Sequence, residues 1–258
     1  MHQDKIGPSE AHLASLLALV QNGKVAEAIS QLEANPNPME AAVAFSELSR
    51  QTYRQLRNVS SMVALSNAGV QFALAKAASS ANSADAAQFR KYAKILAFNT
   101  AANCWPGWDE DGIEITKEHL QSGLQLAALS RDLVVELIQG HQPLGTAHWL
   151  IGALTLAMGQ SADAFAEFQR ATDEFQAASD SDCVLMAEGY QALALKAQPQ
   201  SRSAGELEFD RVLLLLRNRA SDDAQFFANQ LITADRVLIQ ANPNARSQDL
   251  TTTPPSQP

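Results

Sequence analysis

Residues 143–178 read PLGTAHWLIGALTLAMGQSADAFAEFQRATDEFQAA, and this stretch decides the fold. It predicts two antiparallel helices joined by a tight turn at Gly159, because glycine takes the left-handed backbone of such a turn at no steric cost. Ala164, Phe168 and Ala171 recur at helical spacing and form the face by which the second helix packs on the first.

The same pattern extends in both directions. Upstream, Ser9 caps a helix that runs to about Asn22, and Gly23 turns the chain into a second helix with Val25, Ala28, Ile29 and Leu32 on one face. Asn35-Pro36-Asn37-Pro38 stops it. Longer helices follow from Met39 to about Arg57, from Asn58 to Ser79, from Ser83 to Cys104 and from about Ile115 to Gln139, with Gly140 as the stop. Downstream, a further pair is expected over Asp182–Lys196 and Gly205–Arg219, then a last helix from Ser221 to about Ala241. The sum is an all-α chain of about eleven helices in a single domain over 9–241, with a short flexible polar lead at 1–8. The tail 242–258, NPNARSQDLTTTPPSQP, has too little apolar surface to offset the entropy of ordering it, so disorder is expected there.

Two segments match one another. Gly23–Leu32, GKVAEAISQL, and Gly159–Phe168, GQSADAFAEF, share a glycine, two alanines, an acid and a closing large apolar residue at the same offsets. They lie 136 residues apart, four lengths of a repeat of about 34 residues. With Gly152 on the first helix and Ala164-x3-Phe168 on the second, the 143–178 pair resembles the tetratricopeptide repeat family. Ile151 fits the large apolar position before the glycine, while His148, Thr155 and Gln176 stand where that family has tryptophan, tyrosine and proline. Gly189 with Gly205-x3-Phe209 gives a second unit broken by a loop insertion, and Gly23 with Ala28-x3-Leu32 a third, in which Leu16 replaces the first-helix glycine. Residues 39–140 carry no such signature.

The resemblance implies a right-handed α-α superhelix whose concave face, lined by first helices, binds a peptide or a partner protein. On that face it places Thr146, Trp149, Leu150 and Ala153, then Cys183, Met186, Ala187 and Tyr190. None can grip a carboxylate by charge. An apolar helix or extended segment suits the face better, with Trp149 and Tyr190 as anchors and Met186 beside them. The competing reading is that these side chains pack between neighbouring repeats.

Composition narrows the function classes. A formal charge of −9 argues against a nucleic-acid groove or an anionic membrane surface, both of which need clustered Lys and Arg. No run of 18 apolar residues occurs, and the first twenty residues lack the pattern of a secretory leader, so a cytoplasmic protein is expected. Two cysteines, Cys104 and Cys183, are too few for a disulfide framework and read as buried thiols.

The oddest segment is Cys104–Gly112, CWPGWDEDG, with two of the three tryptophans, a Pro-Gly turn and three consecutive acids. Asp109, Asp111, Gly112 and Glu118 take the third, fifth, sixth and twelfth places of an EF-hand-like loop, which makes Asp109, Asp111 and Glu118 candidate metal ligands. Gly107 occupies the first place and offers no side-chain oxygen, so the favoured reading is a solvated loop whose tryptophans tuck onto the core. His119, His141 and His148 have no metal-ligand spacing with either cysteine. No nucleophile elbow or phosphate-cradling loop is present, so no enzyme activity and no cofactor is expected. The expected role is a scaffold for a protein or peptide, with self-association into a homo-oligomer open. The alternative is a small-molecule- or metal-responsive regulator with its site near Trp105–Asp111.

Overall fold

The structure, a computed structural model, describes residues 8–240. The expectations for 1–7 and for the tail 242–258 fall outside the described residues. Within them the chain forms eleven α-helices and no strand. In order they are α1 (Glu10–Gln21), α2 (Val25–Glu33), α3 (Pro38–Leu56), α4 (Val59–Ser79), α5 (Ser83–Asn103), α6 (Lys117–Glu136), α7 (His141–Ala157), α8 (Ser161–Ala177), α9 (Ser181–Lys196), α10 (Arg202–Arg217) and α11 (Asp222–Ala234). One 3₁₀ turn, Pro106–Trp108, precedes α6; another, Pro199–Ser201, precedes α10. A π-helical turn, Asp235–Gln240, continues α11.

Helix starts follow local chemistry. Side chains of Ser9, Asn37, Asn58, Asn82, Asp180 and Ser221 accept hydrogen bonds from free backbone N–H groups of the first turn. At α6 the cap is reciprocal: Thr116 Oγ1 accepts from the His119 N–H at 3.3 Å, and His119 Nδ1 accepts from the Thr116 N–H at 3.2 Å. That fixes the imidazole tautomer, so Nε2–H is left to donate to Ser60 Oγ at 2.8 Å. Both nitrogens that a metal would need are thereby used.

Consecutive helices from α3 to α10 pack pairwise, and helices two apart also touch: α1 with α3, α3 with α5, α5 with α7, α7 with α9 and α9 with α11. The even-numbered helices α2, α4 and α6 do the same. The result is a two-layer stack of helical hairpins, compatible with a helical repeat. The stretch 39–140, which carries no repeat signature, continues the alternation without a break.

The α7–α8 hairpin behaves as its sequence demands. Gly159 has φ 79° and closes the turn, its N–H donating to Leu156 O at 2.9 Å and that of Gln160 to Thr155 O at 3.1 Å. A Cβ on Gly152 would stand 2.7 Å from the Phe168 ring, and one on Gly145 the same distance from Phe175. Each glycine on the first helix thus receives a phenylalanine of the second. Ala164, Phe168, Ala171 and Phe175 are all fully buried. The half-buried His148–Glu167 pair at 2.7 Å clips the two helices together. Burial alone would raise the Glu167 carboxyl; His148 and Arg170 more than offset that and hold it below the ordinary range.

The next unit differs from its expected pairing. Gly189 of α9 receives Leu231 of α11, 2.4 Å from where a Cβ would lie, and not a side chain of α10. Gly205, expected as a helix start, sits inside α10, where a Cβ would stand 2.5 Å from the Lys196 backbone nitrogen. The 3₁₀ turn at Pro199–Ser201 lets α10 begin earlier than the glycine suggested.

Candidate functional site

Trp149 on α7, Met186 and Tyr190 on α9 were the expected peptide anchors. The structure places all three in the interior, at 5%, 5% and 0% exposure. What covers them is the chain's own loop. Trp105 completes a triangle of rings with Trp149 and Tyr190, with centroids 5.7, 6.0 and 5.6 Å apart and edge-on geometries. Trp108 stacks edge-on to Trp105 at 4.9 Å and donates its indole N–H to Ala102 O at 2.8 Å. Phe168 closes the cluster from α8, 5.2 Å from Tyr190. Complete burial pushes the Tyr190 phenol well above its ordinary range. The indole N–H of Trp105 has no hydrogen-bond partner among the described residues.

The loop's sequence explains how it reaches so deep. The Trp105 ring folds beneath Gly107, where any Cβ would lie 2.1 Å from it. Asp109 then takes a left-handed backbone, φ 53°, as the 3₁₀ turn ends. The residue in the place of a first calcium ligand is glycine because an indole occupies the space a side chain would need.

A second cover comes from the C-terminal segment. α11 and the π-helical turn pack on α9 and on the Pro106–Trp108 turn. Two ion pairs fasten it. Arg236 meets Asp109 at 2.5 Å on the surface, and Lys196 meets Asp235 at 2.6 Å with side chains only 12% and 8% exposed. The Lys196 ammonium also sits 4.3 Å over the Phe209 ring, which adds a cation–π contact.

The acids of the loop do not converge. Asp109 pairs with Arg236 and Glu110 with Arg57, the latter at 3.1 Å, while Glu118 lies in the first turn of α6. Among the described residues no three His, Cys, Asp or Glu side chains are placed to hold a metal ion. Next to the loop, Tyr53, Trp105, Trp108, Asp109, Glu110 and Val237 line a cavity of about 220 Å³. Burial, helped by Glu110, raises the Tyr53 phenol. Cys104 is buried as expected, whereas Cys183 is half-buried; burial lifts both thiols to about 12, so neither is a thiolate near neutral pH.

Farther along the layer of odd-numbered helices, α3 and α5 carry no such roof among the described residues. Ser46, Ser49, Arg50 and Arg54 of α3 face Leu96, Asn99, Thr100 and Asn103 of α5 across a cavity of about 230 Å³, with Met62 of α4 also lining it. Each set repeats every three or four residues and so occupies one helix face. That spacing is the sequence signal for this cavity, and it lies in residues 39–140, outside the segments that carry the repeat signature.

No helix among the described residues is long and apolar enough to cross a membrane. The fold and this layer define a class, an all-α stack of helical hairpins with one self-covered and one open stretch on the same layer. No protein-family model matches the chain, and no curated protein sequence matches it either.

Proposed function

We propose that the chain is a non-enzymatic cytoplasmic scaffold of tetratricopeptide-like right-handed superhelical form that binds a protein or peptide segment on the layer of odd-numbered helices. The observation that carries this reading is the seating of the chain's own 104–112 loop, whose Trp105 completes the ring triangle with Trp149 and Tyr190. A surface that holds an irregular segment by an aromatic anchor in cis has the chemistry to hold one in trans. With α7 and α9 covered, the stretch left for a partner is that of α3 and α5. The paired glycines and phenylalanines of α7 and α8 support the repeat-like form.

Affinity capture from the source lysate with three purified baits tests the reading. The baits are the unaltered chain, Asn99→Trp on the open stretch, and Leu207→Glu on α10, where Leu207 and Leu214 are exposed two turns apart. A partner lost only with Asn99→Trp supports the α3–α5 stretch. One lost only with Leu207→Glu moves the interface to the opposite layer, and light scattering of the free chain shows whether that partner is a second copy.

A second reading, a small-molecule-responsive regulator, has the cavity beside Trp105 and Asp109 as its specific support. A metabolite or metal that raises Tm in the unaltered chain but not in Asp109→Ala would favour it, since a ligand of the folded state stabilises that state.

A further inference from the structure

We infer that the cavity between α3 and α5 is a binding site for a small organic monocarboxylate. Four observations converge on that ligand class. Ser49 is 3% exposed, lines the cavity, and its hydroxyl has no hydrogen-bond partner among the described residues. A buried hydroxyl with no partner is costly, and a ligand oxygen in the cavity would satisfy it. Arg54 lines the same space and is exposed, near enough to Glu47 to help hold that carboxyl below its ordinary range but with no side-chain hydrogen bond to it. Arg50 is already held by Glu47, with its Nε 2.9 Å from a carboxylate oxygen, so the two largely cancel.

Two guanidiniums, Arg50 and Arg54, against the one carboxylate of Glu47 leave a single net positive charge, which matches one carboxylate and leaves a phosphate dianion half compensated. Arginine's planar fork suits the two oxygens of a carboxylate. The third observation is the set of neutral donors: Asn99 is exposed at the rim, and Asn103 has only a weak contact to Met62 Sδ at 3.5 Å. Both amides are available to orient a head group. The fourth is the apolar side of the cavity, Met62 and Leu96, both buried, which supplies a surface for a short hydrocarbon body. A guanidinium, two amides and a hydroxyl beside an apolar wall fit a short-chain carboxylic acid better than an inorganic anion, which has no body to bury.

The assignment rests on this cavity alone and not on the scaffold reading, and its test contains no macromolecular partner. Isothermal titration of the full chain would use hexanoate, its neutral isostere hexanamide and inorganic phosphate as probes, with thermal unfolding alongside. Hexanoate is expected to bind saturably at one site and raise Tm, with hexanamide at least tenfold weaker. Arg54→Gln should weaken hexanoate by about 10-fold or more, the scale of a lost charge-assisted hydrogen bond. Because Arg54 is exposed, this variant should unfold at the unaltered Tm without ligand, which separates lost binding from lost structure. Ser49→Ala should weaken hexanoate by a few-fold. The assignment is overturned by an absence of saturable hexanoate binding at millimolar concentration, by equal affinity for hexanamide, by phosphate binding more tightly than hexanoate, or by an unaltered affinity in Arg54→Gln.

Discussion

On one layer of this molecule, α7 and α9 are roofed by the chain's own tryptophan loop and C-terminal segment, whereas α3 and α5 flank a polar cavity. Both stretches belong to the same alternation of helices. Their difference lies in the side chains turned to the layer's outer side. Trp149 and Tyr190 would leave large rings in water, and the loop that covers them is itself aromatic. Ser46, Arg50, Arg54 and Asn99 can face water at no such cost, and no described segment covers them. Where apolar area was to be hidden, the chain supplied its own ligand.

The largest effect should come from breaking that roof. Trp105→Ala removes the ring that joins Trp149, Tyr190 and Trp108 and leaves a void beneath Gly107. A loss of about 3–5 kcal/mol is expected in denaturant unfolding, the range for a buried large aromatic. The emission of the remaining tryptophans should shift to the red as Trp149 meets water. A loss under about 1 kcal/mol would mean that the loop is a passive lid and the comparison is wrongly drawn.

Next comes the buried latch. Lys196→Met leaves the carboxylate of Asp235, which is 6% exposed, without its countercharge and with only the Gln240 amide donating to it, and should cost about 3 kcal/mol. The double variant Lys196→Met, Asp235→Leu should recover most of it, because neither charge then has to be kept from water. If single and double variants unfold alike, the pair contributes packing and not charge.

Legibility followed the kind of signal each part carries. Helices, turns and caps were readable because their causes are local: Gly159 turns the chain, Ser221 caps, and Phe168 meets Gly152 one hairpin away. Burial of Trp149 and Tyr190 was readable only as the competing alternative, since the residue that buries them lies some forty positions upstream of one and eighty-five of the other, in a loop with no periodicity. The odd composition of 104–112 places its tryptophans on the core; which surface they meet depends on tertiary contacts. Gly189 misled for a similar reason, because its partner Leu231 comes from α11, after an intervening helix. The α3–α5 cavity was legible in principle from Ser46, Arg50 and Arg54 at helical spacing with Asn99 and Asn103, but only once the two helices were known to be neighbours.

Two turns sharpen the comparison at smaller scale. Ile138 closes α6 with the same pair of bonds that Gly159 uses to close α7, its N–H reaching Val135 O at 3.1 Å and that of Gln139 reaching Val134 O at 3.2 Å. It does so at φ 50° with a β-branched side chain 90% exposed. The left-handed backbone costs such a residue about 1–2 kcal/mol, and no buried contact offsets it. Ile138→Gly should therefore stabilise by about 1 kcal/mol, while Gly159→Ile should destabilise by a similar amount, both read from denaturant midpoints. A destabilised Ile138→Gly would show that the side chain has a contact in solution, such as a second copy.

The smallest effect is expected at Arg236. Its pair with Asp109 joins the C-terminal turn to the tryptophan loop, as Lys196 and Asp235 join that turn to α9, yet the side chains are 58% and 43% exposed. Water and salt screen such a pair, and holding a long arginine in one geometry costs side-chain entropy. Arg236→Ala should lower stability by about 0.5 kcal/mol at low salt and by nothing measurable at about 1 M, where the screening length falls to about 3 Å. If the loss instead matched that of Lys196→Met and survived high salt, the surface pair would be fastening the roof, and burial would not be what separates the two latches.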